Sequence, residues 1–266
     1  MRVKNKMANT YEDFKASFLR LSGIDLNSYK ESQMKRRIDN FYTRRKFSGY
    51  DDFFRALSRD DEMQKEFTGY LTINVSEFYR NPPQWQTVEN QVYPTLLERF
   101  GRRLKIWSAA CSTGDEPYTL AMLLAEHIPL SQVDILATDL DKDILEKAQE
   151  GRYMEKSVAG LPKQYRDKYF VEDGKGYVRI SEDIKKRITF KHHNLLKDPY
   201  PRGMNLIVCR NVMIYFTEEA KDQIYQKFSD SLVDNGIFFV GSTEQIIGPA
   251  KYGFKSAQSF FYEKTK

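Results

Sequence analysis

The sequence predicts two parts: a basic, all-helical domain followed by an α/β domain with a mostly parallel, doubly wound sheet. Two textures predict this. Up to about residue 70, apolar residues recur at helical spacing with no strand-like alternation. Beyond Arg103, apolar runs of strand length alternate with helical segments, the pattern of a sheet covered by helices on both faces. A third observation separates the parts. Asn81-Pro82-Pro83 breaks the helical pattern, because a proline pushes the preceding residue out of helical angles. The domains are accordingly placed at 1–82 and 83–266.

In the first part, Tyr11, Phe14, Phe18, Leu19 and Leu21 form one helical stripe. Met34, Ile38, Phe41 and Tyr42 form a second, and Phe53, Phe54 and Leu57 a third. Gly23 and Gly49 mark helix ends, so a bundle of three or four short helices is expected. In the second part, a helix over Gln84–Phe100 is interrupted at Pro94. Strands are read at Leu104–Ala110, Val133–Asp139, Ile188–Leu196, Asn205–Arg210, Gly236–Ser242 and Ser259–Lys264. Helices are read at Pro117–His127, Lys142–Glu150 and Glu218–Val233. The polar stretch 151–187 breaks the rhythm and carries the short alternating piece Tyr177–Ile180. It is read as an inserted antiparallel β-subdomain at about 155–187.

Composition excludes several classes. With 41 % hydrophobic and 30 % charged residues the chain is globular. No apolar run approaches 18 residues, so no membrane insertion is expected. The start, MRVKNKMANTYEDF, lacks the apolar core of a secretory signal, which leaves a cytoplasmic protein. Two cysteines, Cys111 and Cys209, and three histidines offer neither a disulfide framework nor metal-ligand spacing, so no metal is expected. The net charge is +5, and residues 1–82 hold 16 Lys/Arg against 12 Asp/Glu. The stretch Tyr29–Lys46 has seven basic residues against two acidic ones, which suits an acidic partner or a solvated helix face.

The chemistry gathers where strands of the α/β part end. The first strand runs into SAACSTGDEPYTLAM, a tight turn with the single glycine Gly114 before a helix. It matches neither GxGxxG nor GxxxxGK[ST]. Asp115 and Glu116 stand where a pyrophosphate would meet the helix N-terminus and would repel a dinucleotide. A cofactor without phosphates and with a cationic end fits, as S-adenosylmethionine (SAM) does. Asp139, at the end of the second strand, is placed to accept ribose hydroxyls, and Asp141 reads as a helix cap. Arg210 and Asn211 follow the apolar run NLIVC at the same sheet edge. NPPQ before the first strand is not the NPPY loop of base-flipping amino-methyltransferases, which follows a later strand and ends in an aromatic.

The motifs TINVSEFYRNP, IWSAACSTGDEPYTLAM, ILATDLDKDILEKAQEGRY, FKHHNLL, LIVCRNVMIYF and GIFFVGSTEQI occur in this order. Through them the chain resembles the chemotaxis receptor methyltransferases, the CheR family, over nearly its whole length. The resemblance implies a Rossmann-like SAM-dependent methyltransferase domain with a small inserted β-subdomain, preceded by an all-α domain. It implies that SAM is held by Asn74, Ser76, Arg80, Glu116, Asp139, Asn194, Leu195, Arg210 and Asn211, with Arg80 and Tyr215 near the transferred methyl. It also implies methyl transfer to glutamate side chains of chemoreceptors, leaving glutamate methyl esters and S-adenosylhomocysteine. The expected partners are the cytoplasmic methylation helices of membrane chemoreceptors, met by Lys35, Arg36 and Arg37; nucleic acid is not expected, and the enzyme is expected to be a monomer. The rival readings are an RNA or DNA methyltransferase, drawn by the basic patch, and a non-catalytic SAM-binding sensor.

Overall fold

The computed structural model describes residues 9–74 and 76–265; the sequence reading of residues 1–8 lies outside them. The chain divides into two compact units, 1–73 with 215–222, and 74–214 with 223–266. The division falls between Ile73 and Asn74 rather than after Pro82. Phe78, Tyr79 and Trp85 explain the shift: these large apolar side chains are buried in the core of the second unit and carry the intervening segment with them.

Among the described residues, the first unit holds four complete helices, α1 (Tyr11–Ser22), α2 (Glu31–Arg44), α3 (Tyr50–Leu57) and α4 (Asp61–Thr72), and the first residues, 218–222, of a later one. Thr10 and Asp60 cap α1 and α4 by accepting backbone N–H groups with their side chains. Gly23 ends α1 in the left-handed region, whereas Gly49 precedes α3 and does not end α2, which stops at Arg44. The apolar stripes meet in an aromatic core in which Phe67 packs on Phe18, Phe41 and Phe53 at 4.9–5.2 Å between ring centroids. The segment 215–222 joins this unit through a short antiparallel bridge. Lys30 N–H donates to the Tyr215 carbonyl (2.9 Å), Thr217 N–H donates to the Ser28 carbonyl (2.9 Å), and the Tyr29 and Phe216 rings lie 4.9 Å apart.

The second unit opens with α5 (Pro82–Thr87), a π-helical turn at Val88–Val92 and α6 (Tyr93–Phe100). Pro94, expected to interrupt this stretch, follows directly on the π-helical turn within continuous helical backbone, and the turn is where the regular hydrogen-bond ladder is broken. Then follow β1 (Ile106–Ala109), α7 (Asp115–Leu124), β2 (Ile135–Asp139), α8 (Lys142–Glu150), β3 (Arg152–Met154), α9 (Glu155–Val158), α10 (Lys163–Tyr169), β4 (Phe170–Glu172), β5 (Tyr177–Ile180), α11 (Glu182–Lys185), β6 (Ile188–His192), β7 (Met204–Cys209), α12 (Glu218–Ser231), β8 (Leu232–Val240), β9 (Phe254–Gln258) and β10 (Phe261–Lys264). The main sheet has the order β6-β2-β1-β7-β8-β10-β9. Its first five strands are parallel, and β10 runs antiparallel to both neighbours. β1 and β7 are buried at every position, as expected for strands covered on both faces. Strand order reverses between β1 and β7, and open α/β sheets bind ligands outside the carboxyl ends of the strands at such a point. The insert forms a second, antiparallel sheet of order β3-β5-β4, beginning at Arg152, slightly before the expected start.

Candidate active site

The turn from β1 into α7 is built from uncommon backbone. Ala110 and Ser112 have φ of 63° and 50°, and Gly114 has φ 88°. A Cβ on Gly114 would stand 3.0–3.2 Å from Tyr118, Ala148 and the Tyr153 hydroxyl, so only glycine fits both the conformation and the space. The turn is held from β2: Cys111 N–H donates to the Thr138 carbonyl (2.9 Å) and Ser112 N–H to Asp139 Oδ2 (2.8 Å). Left-handed non-glycine residues also occur at Tyr79, Asn81 and Asn211, all in segments assigned cofactor residues from the sequence. Such clustering of disfavoured backbone is typical of functional sites.

Asp139 is 6 % exposed, and its Oδ1 also accepts Asp141 N–H at 3.0 Å. Two backbone amides therefore orient this carboxylate, while further lone pairs remain for hydroxyl donors. Asp141 caps α8 by accepting the N–H groups of Asp143 and Ile144, and it also accepts from Asn74 Nδ2 at 2.8 Å. Ser76 hydrogen-bonds Asp115. Asn194 follows β6; its N–H donates to Asp198 and its Oδ1 accepts Leu196 N–H. The Leu195 carbonyl accepts from the Tyr200 hydroxyl at 2.9 Å.

Arg210 is the most heavily committed side chain. It is 7 % exposed, with its guanidinium 4.9 Å from the ring centroids of both Trp85 and Phe239. Nη2 donates to the Arg80 carbonyl (2.8 Å), Asn81 Oδ1 (3.2 Å) and Gln84 Oε1 (3.0 Å). Nη1 lies 3.6 Å from Glu116 Oε2, while Glu116 Oε1 accepts from the Ser108 hydroxyl at 2.8 Å. Arg210 thus ties the Arg80 turn to the sheet edge, a role its place in the sequence does not reveal. Glu244, after β8, is a residue the sequence reading missed; it accepts the N–H groups of Asn211 and Ile214.

Tyr215 groups with the helical unit through the Lys30 bridge, although the sequence reading took it from the α/β part. Of the three basic residues expected to meet the partner, Arg36 is exposed. Lys35 pairs with Asp39 at 2.8 Å. Arg37, expected to reach solvent, is half-buried, donates to the Tyr70 carbonyl and lies 4.5 Å from the Tyr70 ring centroid. It stands at the edge of the apolar stripe, and its stem is drawn down against α4. The thiol of Cys111 is buried and pushed well above its ordinary pKa, so it packs as a thiol rather than acting as a nucleophile.

The electrostatics test the fit of SAM. Asp115, Asp139 and Glu244 are nearly fully buried, and the Glu116 side chain is 12 % exposed. These four carboxylates outnumber Arg210 and the half-buried Arg80. Burial pushes the carboxyls of Asp115 and Asp139 above the usual range. Glu116 is pushed up to about 7 by burial, against the pull of Arg210 and the Ser108 hydrogen bond, with Glu244 adding to the rise. An edge starved of positive charge accommodates a sulfonium and an ammonium and disfavours phosphates. SAM affinity is therefore expected to fall as pH drops through about 7 and Glu116 takes up a proton. The limiting slope is about tenfold per pH unit. For ligand-free stability the sign is opposite: the folded state binds the extra proton between the ordinary glutamate value of 4.5 and about 7, so this group's contribution declines as pH rises through that window. Calorimetry from pH 5.5 to 8.5 checks the first statement, and Glu116→Gln should flatten the profile.

Fold and site together define a class, the methyltransferases that take their methyl group from SAM. A family model described as the CheR methyltransferase SAM binding domain matches residues 74–261, and one described as the CheR methyltransferase all-alpha domain matches residues 9–72. The chain belongs to the CheR methyltransferase family. It is 47 % identical over 243 residues to the chemotaxis protein methyltransferase of Listeria innocua, covering 91 % of this chain and 92 % of that protein. It is 32 % identical over 238 residues to the chemotaxis protein methyltransferase of Salmonella typhimurium, covering 84 % and 79 %. Among the described residues no helix is long and apolar enough to cross a membrane.

Proposed function

We propose that this enzyme methylates glutamate side chains of chemoreceptors in the cytoplasm, producing glutamate methyl esters and S-adenosylhomocysteine. The observation that carries this reading is similarity over nine-tenths of both chains to proteins named chemotaxis protein methyltransferases. The chemistry supports it. Bound SAM supplies an electrophilic methyl on a sulfonium. A glutamate carboxylate, with a reference pKa of about 4.3, is already ionised at neutral pH and needs no general base. The chain's task is alignment of carboxylate oxygen, methyl carbon and sulfur. Asn74, Ser76, Glu116, Asp139, Asn194, Leu195, Arg210 and Asn211 are assigned to the cofactor, and Arg80 and Tyr215 to the region of the methyl. For Arg210 the assignment is indirect, since its guanidinium is engaged within the protein.

Labelled SAM offered with receptor fragments, RNA and DNA tests the substrate class. Label on the receptor, released as volatile methanol by mild base, identifies a carboxyl ester; label on nucleic acid would overturn the reading.

The acidic partner is assigned to α2, with Arg36 as its main contact, because Lys35 and Arg37 have intramolecular partners. Arg36→Ala is expected to raise the Michaelis constant for receptor by up to about fivefold at low salt, the scale of one exposed ion pair. The difference should shrink as ionic strength rises, with SAM affinity unchanged.

A further inference from the structure

We propose that Glu244 is a positioning residue for methyl transfer, acting through the backbone of Asn211. Just after β8, Glu244 N–H donates to the Gly241 carbonyl at 3.0 Å and closes a turn. Its side chain folds back over that turn. Oε2 accepts Gly241 N–H (2.9 Å) and Asn211 N–H (2.6 Å), and Oε1 accepts Ile214 N–H (3.3 Å). One carboxylate, 4 % exposed, thereby fastens the loop after β8 to the loop after β7. Asn211 is held at φ 61°, in the left-handed region, which asparagine tolerates better than other non-glycine residues but still occupies only as a minority conformation. The short bond from its own N–H to an anion is the restraint the structure supplies.

Gly241 makes the approach possible. A Cβ there would lie 2.5 Å from Glu244 Oε2 and 2.8 Å from the Asn211 nitrogen. Glycine, turn and carboxylate form one device, and its output is the placement of Asn211 beside Arg210. A buried carboxylate is costly unless fully hydrogen-bonded. Here three backbone donors satisfy it, and Arg210 lies within its field.

The proposal rests on the assignment of Asn211 to the cofactor, and its test needs no methyl acceptor. Calorimetry with S-adenosylhomocysteine is run on the full chain and on Glu244→Ala and Glu244→Gln, beside thermal denaturation of each. Glu244→Ala should weaken binding by about 10–100-fold, the effect of losing charge-assisted hydrogen bonds. Glu244→Gln keeps an oxygen for Asn211 and Gly241 and should recover most of that loss. Hydrogen exchange at the Asn211 amide should quicken in the alanine variant. A purely structural role would lower the melting temperature yet leave affinity, measured well below the transition, within twofold of wild type; that result overturns the proposal. Should the alanine variant not fold, Glu244→Asp, which keeps the charge but draws the carboxylate back by one methylene, decides instead: a loss of about threefold or more supports the proposal, and unchanged affinity overturns it. Wild-type protein that binds the product but methylates no receptor fragment would refute the glutamate reading while leaving the Glu244 result intact.

Discussion

Arg210→Ala is expected to lower folding stability by about 3–5 kcal/mol, the scale for breaking a buried ion pair from one side. The side chain holds four contacts at once. Without it, Glu116 loses its cationic partner in a nearly buried position, and the Arg80 carbonyl and the amide oxygens of Asn81 and Gln84 lose a common donor. The guanidinium also packs against both the Trp85 and Phe239 rings, which meet each other edge to face, so truncation uncovers that pair. Glu116 should respond by protonating, since burial already brings it to about 7. SAM binding should be lost with the geometry of the turn. Arg210→Lys should not rescue, because an ammonium cannot reproduce a planar fork that reaches Glu116 on one side and the Arg80 carbonyl and Gln84 on the other. Chemical denaturation with calorimetry checks this; a variant within about 1 kcal/mol of wild type would show that the ion pair is not holding the edge together.

What the sequence made legible is what local chemistry specifies. An apolar run, a lone glycine and an acidic first turn locate β1, its turn and α7. Asp141 is recognisable as a cap because a cap needs only the next three residues. What stayed hidden depends on residues far apart in sequence. Gln84 and Trp85 meet Arg210 across more than 120 positions, and Glu244 reaches back 33 residues to Asn211. The edge strand β9 escaped because four of its five residues are exposed, so no alternation marks it. β8 begins directly where α12 ends, and no glycine or proline separates helix from strand. Tyr215 lies in a continuous motif with Arg210, yet its backbone pairs with Lys30; chain proximity pointed to one unit and hydrogen bonding assigns it to the other.

Arg80 presents the converse of Arg210. The protein invests in its backbone: the carbonyl accepts from Arg210 Nη2 and from Trp85 Nε1 at 2.8 and 2.9 Å, and its neighbours Tyr79 and Asn81 both have positive φ. Those restraints survive truncation of the side chain, because every one of them acts on main-chain atoms or on neighbours. The guanidinium itself adds repulsion to Arg210. Arg80→Ala should therefore leave the melting temperature nearly unchanged. Turnover is another matter. If the side chain orients the incoming carboxylate or stabilises charge at the reacting centre, its loss should lower kcat by about 10²–10³-fold, as removal of one preorganised donor does elsewhere. Arg80→Lys keeps the charge but not the fork, and should recover only part of that loss. The paired readout separates the two arginines: Arg210→Ala loses stability and binding together, whereas Arg80→Ala loses rate while the fold stands. Full turnover in the Arg80→Ala variant with a receptor substrate would remove this residue from the region of the methyl and leave Tyr215 as the remaining candidate there.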